Sequence, residues 1–192
     1  AHNAALGIKA FPLLQNLGFL ALELGQPVNA LQCLYTAFSS GVSFDEAQMA
    51  ELMDLTLRHG TLPQTTRVAE ALLHQYPGNP VHRNNLAYFK FLAQQDVEES
   101  VSVMRQLVRE YPDIIQYRLT LALGLLVIGR NNEAKRLLDS TAFDWEQAGT
   151  RGQMIYAAVL ARNDQRIVAE GLIQSIDFSQ LIPEEESLLK FD

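Results

Sequence analysis

One cysteine, Cys33, and one tryptophan stand in a chain of 192 residues. A lone cysteine rules out an intramolecular disulfide, and its place inside an apolar helical stretch points to a buried, inert thiol. The compartment stays open on that evidence, since exported proteins also lack disulfides. Long apolar runs are missing as well. None reaches the roughly 18 residues of a membrane-spanning helix, and the longest, Leu119 to Ile128, reads as a buried helix of a soluble protein. Basic charge is scarce: 15 Lys/Arg against 22 Asp/Glu leave a net charge of −7. Residues 96–192 hold ten of those bases against sixteen of the acids. Binding to a phosphate backbone needs a basic stripe, so nucleic acid is not an expected partner.

The groups that carry catalysis are equally thin. His2, His59, His74 and His82 show no His-Glu-x-x-His spacing and have no cysteine partner, so neither a metal site nor a cofactor is expected. Gly-rich phosphate loops and a Gly-x-Ser-x-Gly elbow are absent. The acidic run Glu184, Glu185, Glu186 reads as the charged first turn of a helix rather than as paired acid–base carboxylates. An enzyme is not expected. The chain begins without Met and without a charged leader followed by an apolar core, which fits an excised fragment or a mature exported segment, cytoplasmic or exported.

What the sequence does have is a repeated hairpin. Leu17, Ala21 and Leu24 keep helical spacing, Gly25 supplies the permissive backbone that ends a helix, and Pro27 suits the first turn of the next. The small residue Ala30 recurs as Thr65, Ser100, Ala134 and Ala169, at steps of 35, 35, 34 and 35 residues. The turn positions Gly25, Gly60, Gln95, Gly129 and Asp164 keep the same step. A helix–turn–helix period near 34 residues predicts a solenoid, because one hairpin cannot bury both faces of its helices without a neighbour.

Leu17-Gly18, Ala21, Gly25 and Ala30, with the closing pairs Tyr76-Pro77 and Tyr111-Pro112, resemble the tetratricopeptide repeat (TPR) family over roughly residues 12–177. Met53 and Tyr88 depart from it, standing where the family usually has Gly or Ala. The resemblance implies an all-α fold: a right-handed α-solenoid of about five antiparallel hairpins with a C-terminal capping helix. The whole of 1–192 is then one superhelical domain, with repeats at about 12–42, 43–78, 79–112, 113–147 and 148–180 and the capping helix at about 183–191. Local signals agree in phase: Ser43 with Glu46, Thr61 with Gln64, and Asp96 with Glu99 read as helix caps, and Pro12 and Asn79-Pro80 as helix starts. Gly149 and Gly152 blur the start of repeat five.

The resemblance also implies a groove lined by the first helix of each hairpin, which holds a peptide. The residues 13, 10, 6 and 3 before each turn position form one helical stripe. These read Pro12, Gln15, Phe19, Leu22; Ala47, Ala50, Asp54, Leu57; His82, Asn85, Phe89, Leu92; Gln116, Leu119, Leu123, Leu126; and Arg151, Met154, Ala158, Ala161. Phe19 and Phe89 are the candidate apolar anchors, alternatively inter-repeat core. Asp54, Arg58, His82, Asn85 and Gln116 are candidate polar contacts. No Lys or Arg lies on the stripe in the first four repeats, so the basic clamp of some TPR proteins for C-terminal carboxylates is missing. The expected function is a non-enzymatic scaffold for a protein or peptide partner. The alternative is self-association as a homo-oligomer, or docking within a larger multidomain protein.

Overall fold

The computed structural model describes residues 2–140 and 145–190, and the side chains from residue 11 on, those of 145–147 excepted. Part of the join at Phe143-Asp144, and the end of the expected capping helix at Phe191, lie outside the described residues. The described residues form α-helices joined by turns and one short 3-10 segment, with no strand among them: an all-α helical-repeat fold. The helices are α1 (His2–Glu23), α2 (Pro27–Ser39), α3 (Glu46–His59), α4 (Leu62–Gln75), α5 (Pro80–Leu92), α6 (Val97–Glu110), α7 (Ile115–Val127), α8 (Asn131–Asp139), α9 (Trp145–Ala161), α10 (Arg166–Ile173) and α11 (Pro183–Ser187). Contacts divide the chain into two compact units, 1–75 and 76–192.

In the first unit α1 pairs with α2 and α3 with α4, while α2 also packs on α3. Gly25 takes φ 68°, and Gln26 N–H reaches back to the Ala21 carbonyl at 2.8 Å, the signature of a left-handed helix stop. At Gly18 the two helices approach so closely that an added Cβ would sit 2.5 Å from Leu34 Cγ. Phe44 is buried beside two rings, Phe38 at 6.3 Å in a T-shaped pair and Phe19 at 6.4 Å. Helix α1 does not begin at Pro12: it runs from His2 through the proline. A proline there withdraws the hydrogen bond to the Ile8 carbonyl, and the strong helix formers Ala4, Ala5 and Leu6 carry the helix on the other side.

Helix α3 starts two residues later than the Ser43–Glu46 spacing suggests. Asp45 is the cap, accepting from Gln48 N at 2.8 Å while its own N–H donates to Gln48 Oε1 at 3.1 Å. This register places Phe44 and Met49, both buried, at the two positions of a hydrophobic staple, which the earlier start would not. Helix α4 is capped as expected by the reciprocal pair Thr61 and Gln64, at 3.0 and 3.4 Å.

The second unit stacks the hairpins α5/α6, α7/α8 and α9/α10. The first helices α5, α7 and α9 lie side by side, and the second helices meet chiefly the first helices next to them. Nine residues of α7 are buried, Leu119, Leu123 and Leu126 among them. Its Gly124 faces the ring of Phe91, which leaves no room for a Cβ. All five small marker positions, Ala30, Thr65, Ser100, Ala134 and Ala169, are buried. Helix α9 breaks at Gly149, φ 62°, as the glycines in its first turns suggested.

The α5–α6 turn departs from the expected phase by one residue. Gln95 N–H reaches the Lys90 carbonyl at 2.9 Å, as Gln26 does to Ala21, Arg130 to Leu125 and Gln165 to Leu160. Gln94, φ 55°, therefore takes the place of Gly25, Gly129 and Asp164. One further residue, Asp96 at φ 45°, is fitted in before α6 starts. Asp96 makes no side-chain cap; its carboxylate pairs with Lys90 Nζ at 2.9 Å instead.

Candidate functional site

Counting back from Gln94 rather than Gln95 moves the α5 stripe by one residue, to Val81, Asn84, Tyr88 and Phe91. Tyr88, which sequence comparison marked as a departure, is thus the stripe residue that corresponds to Leu123 on α7 and Ala158 on α9. Its hydroxyl donates to Glu185 Oε1. The same oxygen accepts from Arg151 Nε at 2.5 Å. Arg151 is the first stripe residue of α9, so one carboxylate ties the two outer helices of the three-helix face together. The other oxygen, Oε2, accepts from the backbone N–H of Ile182 at 2.9 Å and so closes the first turn of α11.

The segment that carries Glu185 is gripped along its backbone as well. Arg151 Nη2 donates to the Gln180 carbonyl at 3.0 Å, and Arg162 Nη1 to the Leu188 carbonyl at 3.1 Å. Thr150 Oγ1 lies 3.0 Å from Gln180 Oε1. Upstream, Asp177 caps the short 3-10 turn at Phe178–Gln180 through Ser179 N–H and the Ser179 and Gln180 side chains. Helix α11 thus does more than cover the last hairpin: it reaches back two hairpins, to α5. Glu185 is wholly buried and Tyr88 nearly so. Burial, then the charge and hydrogen bond of Glu185, push the Tyr88 phenol well above its ordinary pKa, against a smaller opposing pull from Arg151. Burial alone would lower the Arg151 guanidinium; the Glu185 hydrogen bond and charge outweigh it and raise it.

No family model matches the chain, and no curated protein does. Solved structures do. A tetratricopeptide repeat protein from Parabacteroides merdae superposes with TM-score 0.63 at 17% identity, over 93% of this chain and 69% of that one. A thermophilic TPR protein of Thermus thermophilus gives 0.57 at 17%, over 93% and 94%. MamA from Desulfovibrio magneticus gives 0.57 at 14%, over 86% and 92%. The fold is that of the tetratricopeptide repeat. Identities this low establish the fold alone.

Within the TPR fold, the residues nominated from sequence divide between the two units, Phe19, Asp54 and Arg58 in the first and His82, Asn85, Phe89 and Gln116 in the second. Phe19 is half-buried and packs toward Phe44. Asp54 and Arg58 are exposed and pair with each other at 2.8 Å, one turn apart on α3. His82 is buried, its Nε2 3.2 Å from Asn79 Nδ2 and its ring 6.0 Å from Tyr76. Asn85 accepts from Asn84 Nδ2 at 3.2 Å. Phe89 is buried edge-on to Tyr88 at 5.6 Å. The one-residue shift of α5 explains these last three: His82, Asn85 and Phe89 each fall one step off the TPR stripe. Gln116 is exposed at the start of α7. Cys33 is half-buried rather than buried.

Sequence reasoning had Arg151 on the stripe and Glu185 in the acidic run, but did not join them. The apparent departure of Tyr88 from the TPR pattern signalled the one-residue shift of α5, which puts Ala87 at the small position and Tyr88 on the stripe. Among the described residues no three His, Cys, Asp or Glu gather as a metal site, and no helix is long and apolar enough to cross a membrane. An open cleft of about 540 Å³ lies on the turn side of repeats four and five, lined by Arg130, Asn131, Glu133, Arg136, Arg162 and Asp164 among others.

Proposed function

We propose that the chain is a non-enzymatic scaffold that binds a protein or peptide partner on the face made by the first helices of its TPR hairpins. One observation carries this reading. On that face Tyr88 of α5 and Arg151 of α9 hold one carboxylate and a backbone carbonyl of the segment that follows α10, and Arg162, just past the end of α9, holds a second carbonyl. A surface that grips main-chain carbonyls suits peptides in general, and the side-chain contacts add selectivity. Val81 and Gln116, exposed at the start of their stripes, mark where an incoming chain meets the face.

Affinity capture tests the proposal, with the intact chain and a Val81→Arg/Gln116→Arg variant as baits. Partners retained by the intact chain and lost by the variant, at unchanged helicity, are the expected result. Equal capture by the folded variant removes the face from the account.

A second reading, self-association or docking onto further domains, rests on a different surface. Leu13, Leu17 and Leu20 lie at helical spacing on α1, with Leu24 just past its end, each more than 40% exposed. An apolar ridge of that kind favours a covering partner. Light scattering decides it: a mass that rises with concentration and is held monomeric by Leu17→Glu supports self-association.

A further inference from the structure

The segment 178–188 has two properties that do not belong to a simple structural strap. Its secondary structure is slight, a single 3-10 turn and the five residues of α11, so it gains little order of its own. Its attachment is polar and local. The pair Tyr88 and Arg151 holds Glu185, Arg151 and Arg162 hold the carbonyls of Gln180 and Leu188, and only Leu181 is a buried apolar anchor within it. Phe178 is 41% exposed, Ser187 and Lys190 are exposed, and Glu184 is half-buried. Each grip is one that another peptide can satisfy with a main-chain carbonyl and a single glutamate.

The face itself is shaped for that glutamate. A tyrosine hydroxyl from α5 and a guanidinium from α9 converge on one oxygen, and both donors are partly or wholly withdrawn from water. Were Glu185 to leave, a buried phenol and a half-buried guanidinium would lose their shared acceptor, which makes the site demanding of a replacement carboxylate.

We propose that residues 178–188 occupy this face in cis as a stand-in ligand, and that the partner they hold off is an acidic peptide presenting a glutamate, from a short helical turn like that of α11, to Tyr88 and Arg151. The inference rests on the peptide-binding reading above and adds the chemistry of the partner and a regulation of the site. Binding is competitive: the fraction of molecules with the segment lifted sets the apparent affinity. The sequence around Glu185, an apolar residue, a proline two positions on and the glutamate after two more (Leu181, Pro183, Glu185), is the template for what fits.

The test uses the full chain and a fluorescent peptide copying residues 178–190. Wild type is expected to bind it weakly, and Glu185→Gln or Glu185→Ala to bind it at least about tenfold more tightly, because the cis competitor is lost. The same peptide with Gln at the Glu185 position is expected to fail, and adding Tyr88→Phe and Arg151→Met to the Glu185→Gln chain to abolish the gain. Two Glu185 variants guard against one that fails to fold, with circular dichroism as the check. No gain in a folded Glu185→Gln chain overturns the proposal. So does a wild-type dimer that disappears on Glu185→Ala, since the occupant is then a second copy. A random dodecapeptide library selected on the Glu185→Gln chain separates this proposal from the reading beneath it. Acidic sequences support both, captured sequences without a carboxylate sink the glutamate pocket alone, and an empty selection sinks both.

Discussion

Tyr88 shows how much one side chain can decide. Counted from Gln94, the small position of the repeat falls on Ala87, and Tyr88 takes the stripe position that Phe19 holds in the first hairpin, from which its phenol reaches Glu185. Its raised pKa has a stability consequence with a definite sign. The folded state holds the phenolic proton more tightly than the unfolded chain, so the contribution is complete below about pH 10 and is lost as pH rises through and beyond that value. Burial raises Tyr117 and Tyr156 as well, so all three shift the alkaline limb in the same direction. Tyr88→Phe is expected to flatten the fall in melting temperature between pH 9 and 11 relative to wild type, measured by circular dichroism. Equal slopes would place the Tyr88 hydroxyl in water rather than on Glu185. Gly124 is the opposite case, a residue that works by having no side chain. Its missing Cβ is where the Phe91 ring sits. Gly124→Ala is expected to lose about 1–3 kcal/mol in urea unfolding through overpacking of α5 on α7.

At the scale of elements, caps and turns were legible in part, and the misses have local causes. Thr61–Gln64 was visible because only one cap spacing exists there. At α3, Ser43–Glu46 and Asp45–Gln48 both fit the same spacing, and the burial of Phe44 selected the second. Asp45→Ala is expected to destabilise the first unit by about 1 kcal/mol, while Ser43→Ala stays near neutral in thermal melts. The α5–α6 turn was misread because its extra residue is silent in sequence: neither Gln94 nor Asp96 is a glycine, yet both take left-handed backbone. That single residue moved His82, Asn85 and Phe89 off the stripe and brought Tyr88 onto it. Asp177 offers an acid-side prediction. Hydrogen bonds from Ser179 and Gln180 hold its carboxyl below the ordinary aspartate pKa, so the order it lends the 3-10 turn is present above that ordinary value and lost as pH falls below it. The protection factors of the Ser179 and Gln180 amides, exchange rates corrected for the intrinsic pH dependence, are expected to fall below about pH 4 in wild type, and to be low already at neutral pH in Asp177→Asn.

For the whole molecule, the 34-residue period and its small buried residues settled the all-α repeat fold, because a hairpin with two apolar faces has no other way to hide them than beside its like. The second unit carries its own core, from Phe91 through α7 to Met154 and Leu160. Residues 76–192 expressed alone are therefore expected to keep a helical spectrum and a cooperative melt; a gradual, non-cooperative loss of helix would show that this core is not self-sufficient. What the amino acids determined unaided is the kind of object, since periodicity, caps and turn residues act between near neighbours and repeat often enough to correct one another. What only the tertiary structure decided is the site. Glu185 meets Tyr88 and Arg151 across 97 and 34 residues of chain, and no local spacing encodes a contact that depends on where a short segment comes to rest against α5 and α9.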